Sequence, residues 1–104
     1  PLWLSPVQVA VLPISQDFDD YAKKVFEQFK KVGINCVVDL KNHKISYKIR
    51  EHSLAKIPIL LICGKKELDT NTITIRRLGT DEQQTMELDK AVQYIFSQNK
   101  SPLN

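Results

Sequence analysis

At 104 residues and 42% hydrophobic side chains, the chain is a single domain with enough apolar material for a core. No window approaches the roughly 18 consecutive apolar residues of a membrane-crossing helix, and the first residues lack a basic-then-apolar leader pattern. A formal charge of +3 admits a polyanionic partner, and the surplus is local: residues 17–31 carry four acids and four bases, residues from 81 onward are net acidic, and the excess lies between 41 and 77.

Residues 7–12 are apolar on both parities, as in a central strand covered on both faces. Ser15 or Asp17 is placed to cap the helix that follows. In that helix Phe18, Tyr21, Ala22, Val25, Phe26, Phe29 and Val32 recur at spacings of three and four, and Gly33 stops it. Residues 35–40 form a second strand centred on Cys36, Val37 and Val38. Asn42 is positioned to cap a second helix over 44–55, with Ile45 and Ile49 inward and Lys44 and Lys48 sharing another face. Residues 57–63 are the most apolar segment and too short for an independent helix, which makes them a buried strand with Pro58 near its start. After a turn at Gly64, a short strand over 66–68 is expected to pair across a hairpin loop at 69–72 with a strand over 72–77. Ile73 and Ile75 take one face of that strand, and Thr72, Thr74 and Arg76 the other. Leu88, Ala91, Val92, Ile95 and Phe96 mark a last helix, and from Gln98 the chain frays. The order is that of an α/β fold with parallel strands and one antiparallel excursion.

Cys36 and Cys63 sit in apolar runs and read as buried thiols; no Cys-x-x-Cys or zinc spacing with His43 or His52 occurs. The chemistry is concentrated in residues 39–58, where Lys41, Lys44, Lys48, Arg50 and Lys56 face the single glutamate Glu51. The Asn42 amide offers donors and an acceptor, as a base edge demands, and equally suits a helix N-cap. Lys44 in a first helical turn opposes the helix dipole, a penalty that a bound anion removes. Lys48 and Arg50 continue the basic face, although Arg50 can also pair with Glu51. Glu67 follows Gly-Lys-Lys and reads on its own as a hairpin-edge carboxylate. Arg76 points away from Ile73 and Ile75, and its planar fork matches the O6 and N7 of guanine; Arg77 is the weaker candidate. No Ser-His-Asp set and no Gly-rich phosphate loop is present, which argues against a small α/β enzyme.

The run Asn42-x-Lys44-Ile45-x-x-Lys48-Ile49-Arg50-Glu51-His52 resembles the C-terminal anticodon-binding domain of the threonyl-tRNA synthetase family. Trp3-Leu4-x-Pro6-Val7-Gln8, Gly64-Lys65-Lys66-Glu67 and Arg76 match in order, so the resemblance covers nearly the whole chain. Departures are Lys41 for a frequent Arg, Ser46 for the usual Gly, and a segment after Arg77 without basic, Gly-rich character. The resemblance implies a mixed five-stranded sheet with three helices, with residues 1–6 as linker from a catalytic core, 7–100 as the domain and 101–104 as a tail. Pro rather than Met at position 1 agrees with a piece of a longer protein.

The resemblance also implies that the domain binds the anticodon loop of a threonine-type tRNA through Asn42, Lys44, Lys48, Arg50, Glu67, Arg76 and Gln8. Threonine anticodons have G second and U third. In the family a carboxylate at Glu67 accepts from a base NH, and the opening Pro-x-Gln places Gln8 at the pocket edge; Trp3 packs at the domain junction. The implied parent is a cytoplasmic, homodimeric ligase that joins threonine to tRNA with ATP. Its catalytic domain, in the same chain, would hold ATP and zinc, and this domain would hold no cofactor and catalyse nothing. A prolyl- or glycyl-tRNA synthetase domain, or a non-catalytic nucleic-acid-binding accessory module of the same fold, is the alternative.

Overall fold

The centre of the molecule is β1 (Val9–Pro13), buried at all five positions because both of its faces meet apolar neighbours. The structure is a computed structural model and describes residues 7–80 and 82–98. Strands β2 (Cys36–Val38) and β3 (Ile59–Cys63) run parallel to β1 on either side, with Val9 opposite Cys36 and Ile59. The antiparallel strands β4 (Thr72–Arg77) and β5 (Gln83–Glu87) complete a five-stranded sheet in the order β2-β1-β3-β4-β5. β3, like β1, is buried throughout, which explains why both read as unbroken apolar runs.

Strand alternation divides the core in two. Val9, Val11, Ile59, Leu61, Ile73 and Ile75 pack with helix α1 (Asp19–Lys31) and the C-terminal helix described below. Ala10, Leu12 and Leu60 face helix α2 (Ile45–Leu54) through Ile45 and Ile49. This smaller cluster contains no residue of β4 or β5. Across that half of the sheet the register aligns Arg76 with Leu60 and Gln83, and Thr74 with Ile62 and Thr85. The result is a polar strip of sheet beside α2.

Several expectations change at element ends. Ser15 is the N-cap of a 3₁₀ turn (Gln16–Phe18) and Phe18 that of α1, and neither makes a side-chain capping bond. Asp19 and Asp20 begin α1 and Lys30 and Lys31 end it, so its dipole is complemented at both ends. Gly33 closes it as expected, at φ +83°, with its N–H on the Lys30 carbonyl at 3.0 Å. Asn42 does not cap α2, because Lys44 holds the N-cap position without a side-chain bond.

The 66–68 strand does not form. Its residues lie in a short helix α3 (Lys65–Thr70), closed by Asn71 in the left-handed conformation at φ 54°. The partner of β4 is instead β5, and the chain then enters helix α4 (Leu88–Gln98). In α4, Leu88, Ala91, Val92 and Ile95 are buried, whereas Phe96 remains 39% exposed. The fold is thus the expected mixed five-stranded sheet with three helices of ordinary length, plus the six-residue α3.

Cys63 is buried and Cys36 half-buried, both free; burial pushes their thiols up to about 12 and about 11, so they behave as small apolar groups. No helix among the described residues is long and apolar enough to cross a membrane. The readings placed on Trp3, on residues 1–6 and on the tail beyond residue 98 lie outside the described residues; Gln98 itself, expected to begin the fraying, is the last residue of α4.

Candidate nucleic-acid interface

The parallel strands β1, β2 and β3 point their C-terminal ends to one edge of the sheet, and the loop 39–44 leaves from that edge. A buried polar network fixes it. Lys48 is only 2% exposed, and its Nζ donates to the carbonyls of Pro13 and Asp39, each at 3.1 Å. It therefore ties the end of β1 to the end of β2 from inside α2. The Asp39 carboxylate takes up the other side of the network: Oδ2 lies 2.8 Å from His52 Nε2, and Oδ1 accepts the Lys41 N–H at 3.1 Å. Burial alone would raise the Asp39 carboxyl; the His52 and Lys41 hydrogen bonds and the charges of His52 and Lys48 outweigh it and hold the group below its ordinary value.

The expectation that Lys48 shares an open face with Lys44 is therefore corrected. Positions 45, 48, 49 and 52 follow helical spacing and all face inward, so the ammonium is buried and donates to backbone carbonyls. What remains outside is Asn42, His43, Lys44, Ser46, Tyr47 and Arg50, all exposed. They line a depression of about 620 Å³. Two of the six are cations and none is a carboxylate. Expected residues Asn42, Lys44 and Arg50 thus meet in one place.

Arg76 lies on the polar strip of sheet, half-buried, at the level of Leu60 and Gln83. It is about 13 Å along the strand direction from the Gly64 edge, at roughly 3.3 Å per residue. Arg77 points to the opposite face, where its Nη2 donates to Tyr94 Oη at 2.9 Å and Gln98 Oε1 at 2.6 Å. Arg77 is therefore held by α4.

Glu67 is not a hairpin-edge carboxylate. It is 6% exposed, and its Oε1 accepts the Gly64 N–H at 3.0 Å, which caps α3. Gly64 allows this close turn: a Cβ there would stand 2.5 Å from Ile14 Cδ1 and 3.2 Å from Glu67 Oε1. Gln8 is likewise buried. Its backbone N–H donates to the Asn35 carbonyl at 2.8 Å and its Oε1 accepts the Asn35 N–H at 2.9 Å, joining β1 to the loop before β2. The expected residues therefore fall into an open cluster (Asn42, Lys44, Arg50), a separate position on the sheet (Arg76), and three buried positions (Gln8, Lys48, Glu67).

Sequence reasoning passed over His43, Tyr47 and the Asp39–His52 pair. The signal for Tyr47 was its four-residue spacing from His43 inside the basic run. Among the described residues no group of three His, Cys, Asp or Glu side chains could hold a metal ion.

An open, cationic wall set beside a polar strip of sheet is suited to single-stranded nucleic acid. The family model for the anticodon binding domain matches residues 8–98, and the chain belongs to that family. It is 56% identical over all 104 residues to the threonine–tRNA ligase of Pelagibacter ubique (strain HTCC1062) and 48% identical over 102 residues to that of Rhodopseudomonas palustris (strain ATCC BAA-98 / CGA009). The chain spans 16% of the length of each of these curated relatives. Its fold matches a crystal structure of the RNA binding domain of threonyl-tRNA synthetase from Cryptosporidium parvum Iowa II. The TM-score is 0.91 at 32% identity, with all of this chain and 26% of that one covered. The resemblance to the threonyl-tRNA synthetase domain is borne out.

Proposed function

We propose that this chain docks the anticodon loop of a threonine-type tRNA for a parent threonine–tRNA ligase. The observation that carries the reading is the match over all 104 residues of this chain, at 56% identity, to part of a threonine–tRNA ligase. The open cationic wall of α2 supports it. Lys44 and Arg50 suit phosphates, the Asn42 amide suits a base edge, and the Arg76 fork suits the second-position guanine. Gln8, Lys48 and Glu67 then act by holding the site's frame.

The names of the relatives favour the threonyl over the prolyl or glycyl alternative. The parent joins threonine to tRNA with ATP, in a catalytic domain of the same chain that holds ATP and zinc. It works as a cytoplasmic homodimer. Those statements rest on the family reading alone. Residues 1–6 serve as the linker to that domain, 7–100 as the binding module and 101–104 as a tail.

Titration with threonine-type and glycine-type anticodon stem-loops at matched salt tests the reading. Tighter binding to the threonine-type loop is expected. Tighter binding to the glycine-type loop contradicts it, and equal affinity for both and for poly-U selects the accessory-module alternative.

A further inference from the structure

At the entrance to α2, His43 and Tyr47 meet edge to face, with ring centroids 4.7 Å apart and planes at 75°. Tyr47 nevertheless stays 51% exposed. The His43 ring braces it, and the Glu51 carboxylate keeps the phenol above its ordinary value. Glu51 is in turn 3.9 Å from Lys41 Nζ. Tyr47 and Arg50 line both the 620 Å³ depression and a second hollow of about 150 Å³ toward Leu54. The larger depression falls within the roughly 300–1,000 Å³ of small-molecule sites.

We propose that Tyr47, braced by His43, is a stacking shelf for one unpaired nucleobase whose phosphate lies against Lys44 and Arg50, and that this base is held without being read. The shelf rests on the anticodon-loop reading and adds a subsite to it. A stacking surface must be flat and accessible and gains from support before the ligand arrives; Tyr47 is exposed and braced on one side by His43. Lys44 and Arg50 in the lining of the larger depression suit an occupant that carries negative charge, and Glu51 lines only the adjoining hollow. Asn42 lines the same wall, which places the shelf next to the amide suited to a base edge.

Stacking on an aromatic face tolerates any base, because every base has a π-face. Threonine-type anticodons share their second and third bases and vary at the first. A surface that binds without discriminating is what the first base requires, and the structure assigns it to Tyr47.

The test uses the 104-residue chain with isotope-labelled tyrosine rings, the Tyr47 signals being assigned from their loss in Tyr47→Phe. Three probes are added in turn: a five-nucleotide adenosine RNA, an abasic RNA of equal length, and a threonine-type anticodon stem-loop with 2-aminopurine at the first anticodon position. The Tyr47 signals are expected to move with the adenosine RNA and not with the abasic one. The 2-aminopurine fluorescence is expected to fall on binding. Tyr47→Leu should weaken loop binding about 5- to 150-fold, the equivalent of one lost base stack, and by the same factor whichever base is first. Tyr47→Phe should keep most of the affinity.

Silent Tyr47 signals with the adenosine RNA, or wild-type affinity in Tyr47→Leu, overturn the shelf. Silent Tyr47 signals in a chain that still prefers loops with G second and U third overturn the shelf and leave the anticodon reading standing. Moving signals in a chain without that preference uphold the shelf and overturn the threonine assignment. If Tyr47→Leu loses its fold, the signals of the wild-type chain decide.

Discussion

Lys44 and Lys48 are four residues apart on one helix entry and do opposite jobs. Lys48 donates to two carbonyls, those of Pro13 and Asp39. Lys48→Met keeps the length of the side chain and removes the donor. Chemical denaturation should show a loss of about 1–3 kcal/mol for each carbonyl left without a partner. Lys44→Gln, at an exposed position, should change stability by less than about 0.5 kcal/mol. It should instead weaken all anticodon loops alike and make the salt slope shallower by about 0.7, one phosphate contact on a single strand. A salt slope unchanged from wild type would remove Lys44 from the interface.

The buried carboxylate of the same network gives a pH signature. The folded-state value of Asp39 lies below the unfolded one, for which 3.8 is the reference. Between the two values the unfolded state binds more protons. The stability this supplies is therefore fully present above about pH 4 and lost as the pH falls through the folded value. Asp39→Asn should be less stable at neutral pH and show a shallower loss of stability with acid. An acid transition with the wild-type slope would place the titration elsewhere.

Among the elements, α3 is the one whose discovery changes a residue's role. Glu67 caps it from within, so Glu67→Gln separates structure from recognition. An amide oxygen can still accept the Gly64 N–H, and stability should fall by no more than about 1 kcal/mol. If the carboxylate also accepts from a base NH, loop discrimination at the third anticodon base should change; if its only task is the cap, discrimination should stay as in wild type.

The same element shows where sequence reading stops. β1, β3, α1 and α4 were legible because burial on one or both faces writes a strong apolar pattern. β5 was not: Gln83-Gln84-Thr85-Met86-Glu87 is an edge strand with only Met86 even half-buried, so no alternation marks it. The six residues of α3 are too few to show helical periodicity, and only the Gly64 and Asn71 boundaries signalled it. The site divides in the same way. Asn42, Lys44 and Arg50 were found because exposed polar residues read directly. Lys48 reads as exposed because a lysine ordinarily faces water, although its spacing from Ile45 and His52 puts it inside.

For the molecule as a whole, the placement of the helices creates the opening that function needs. α1 and α4 pack together on one face, and on the other α2 covers a cluster with residues of β1, β2 and β3 and none of β4 or β5. The polar strip bearing Thr74, Arg76, Gln83 and Thr85 is left beside the cationic wall. Reading two adjacent bases needs side chains of different donor and acceptor pattern held at fixed separation, and a sheet with one helix as a wall provides that rigidity.

The central claim is that this surface selects a guanine at the second anticodon position through Arg76. Four anticodon stem-loops that differ only at that base, titrated at one salt concentration against the wild-type chain and Arg76→Ala, test it most directly. The wild-type chain should prefer G by about 1–3 kcal/mol over the other three bases, and Arg76→Ala should bind all four with similar, weaker affinity. A wild-type chain that binds the four loops equally, or a preference for G that survives Arg76→Ala, would contradict the account.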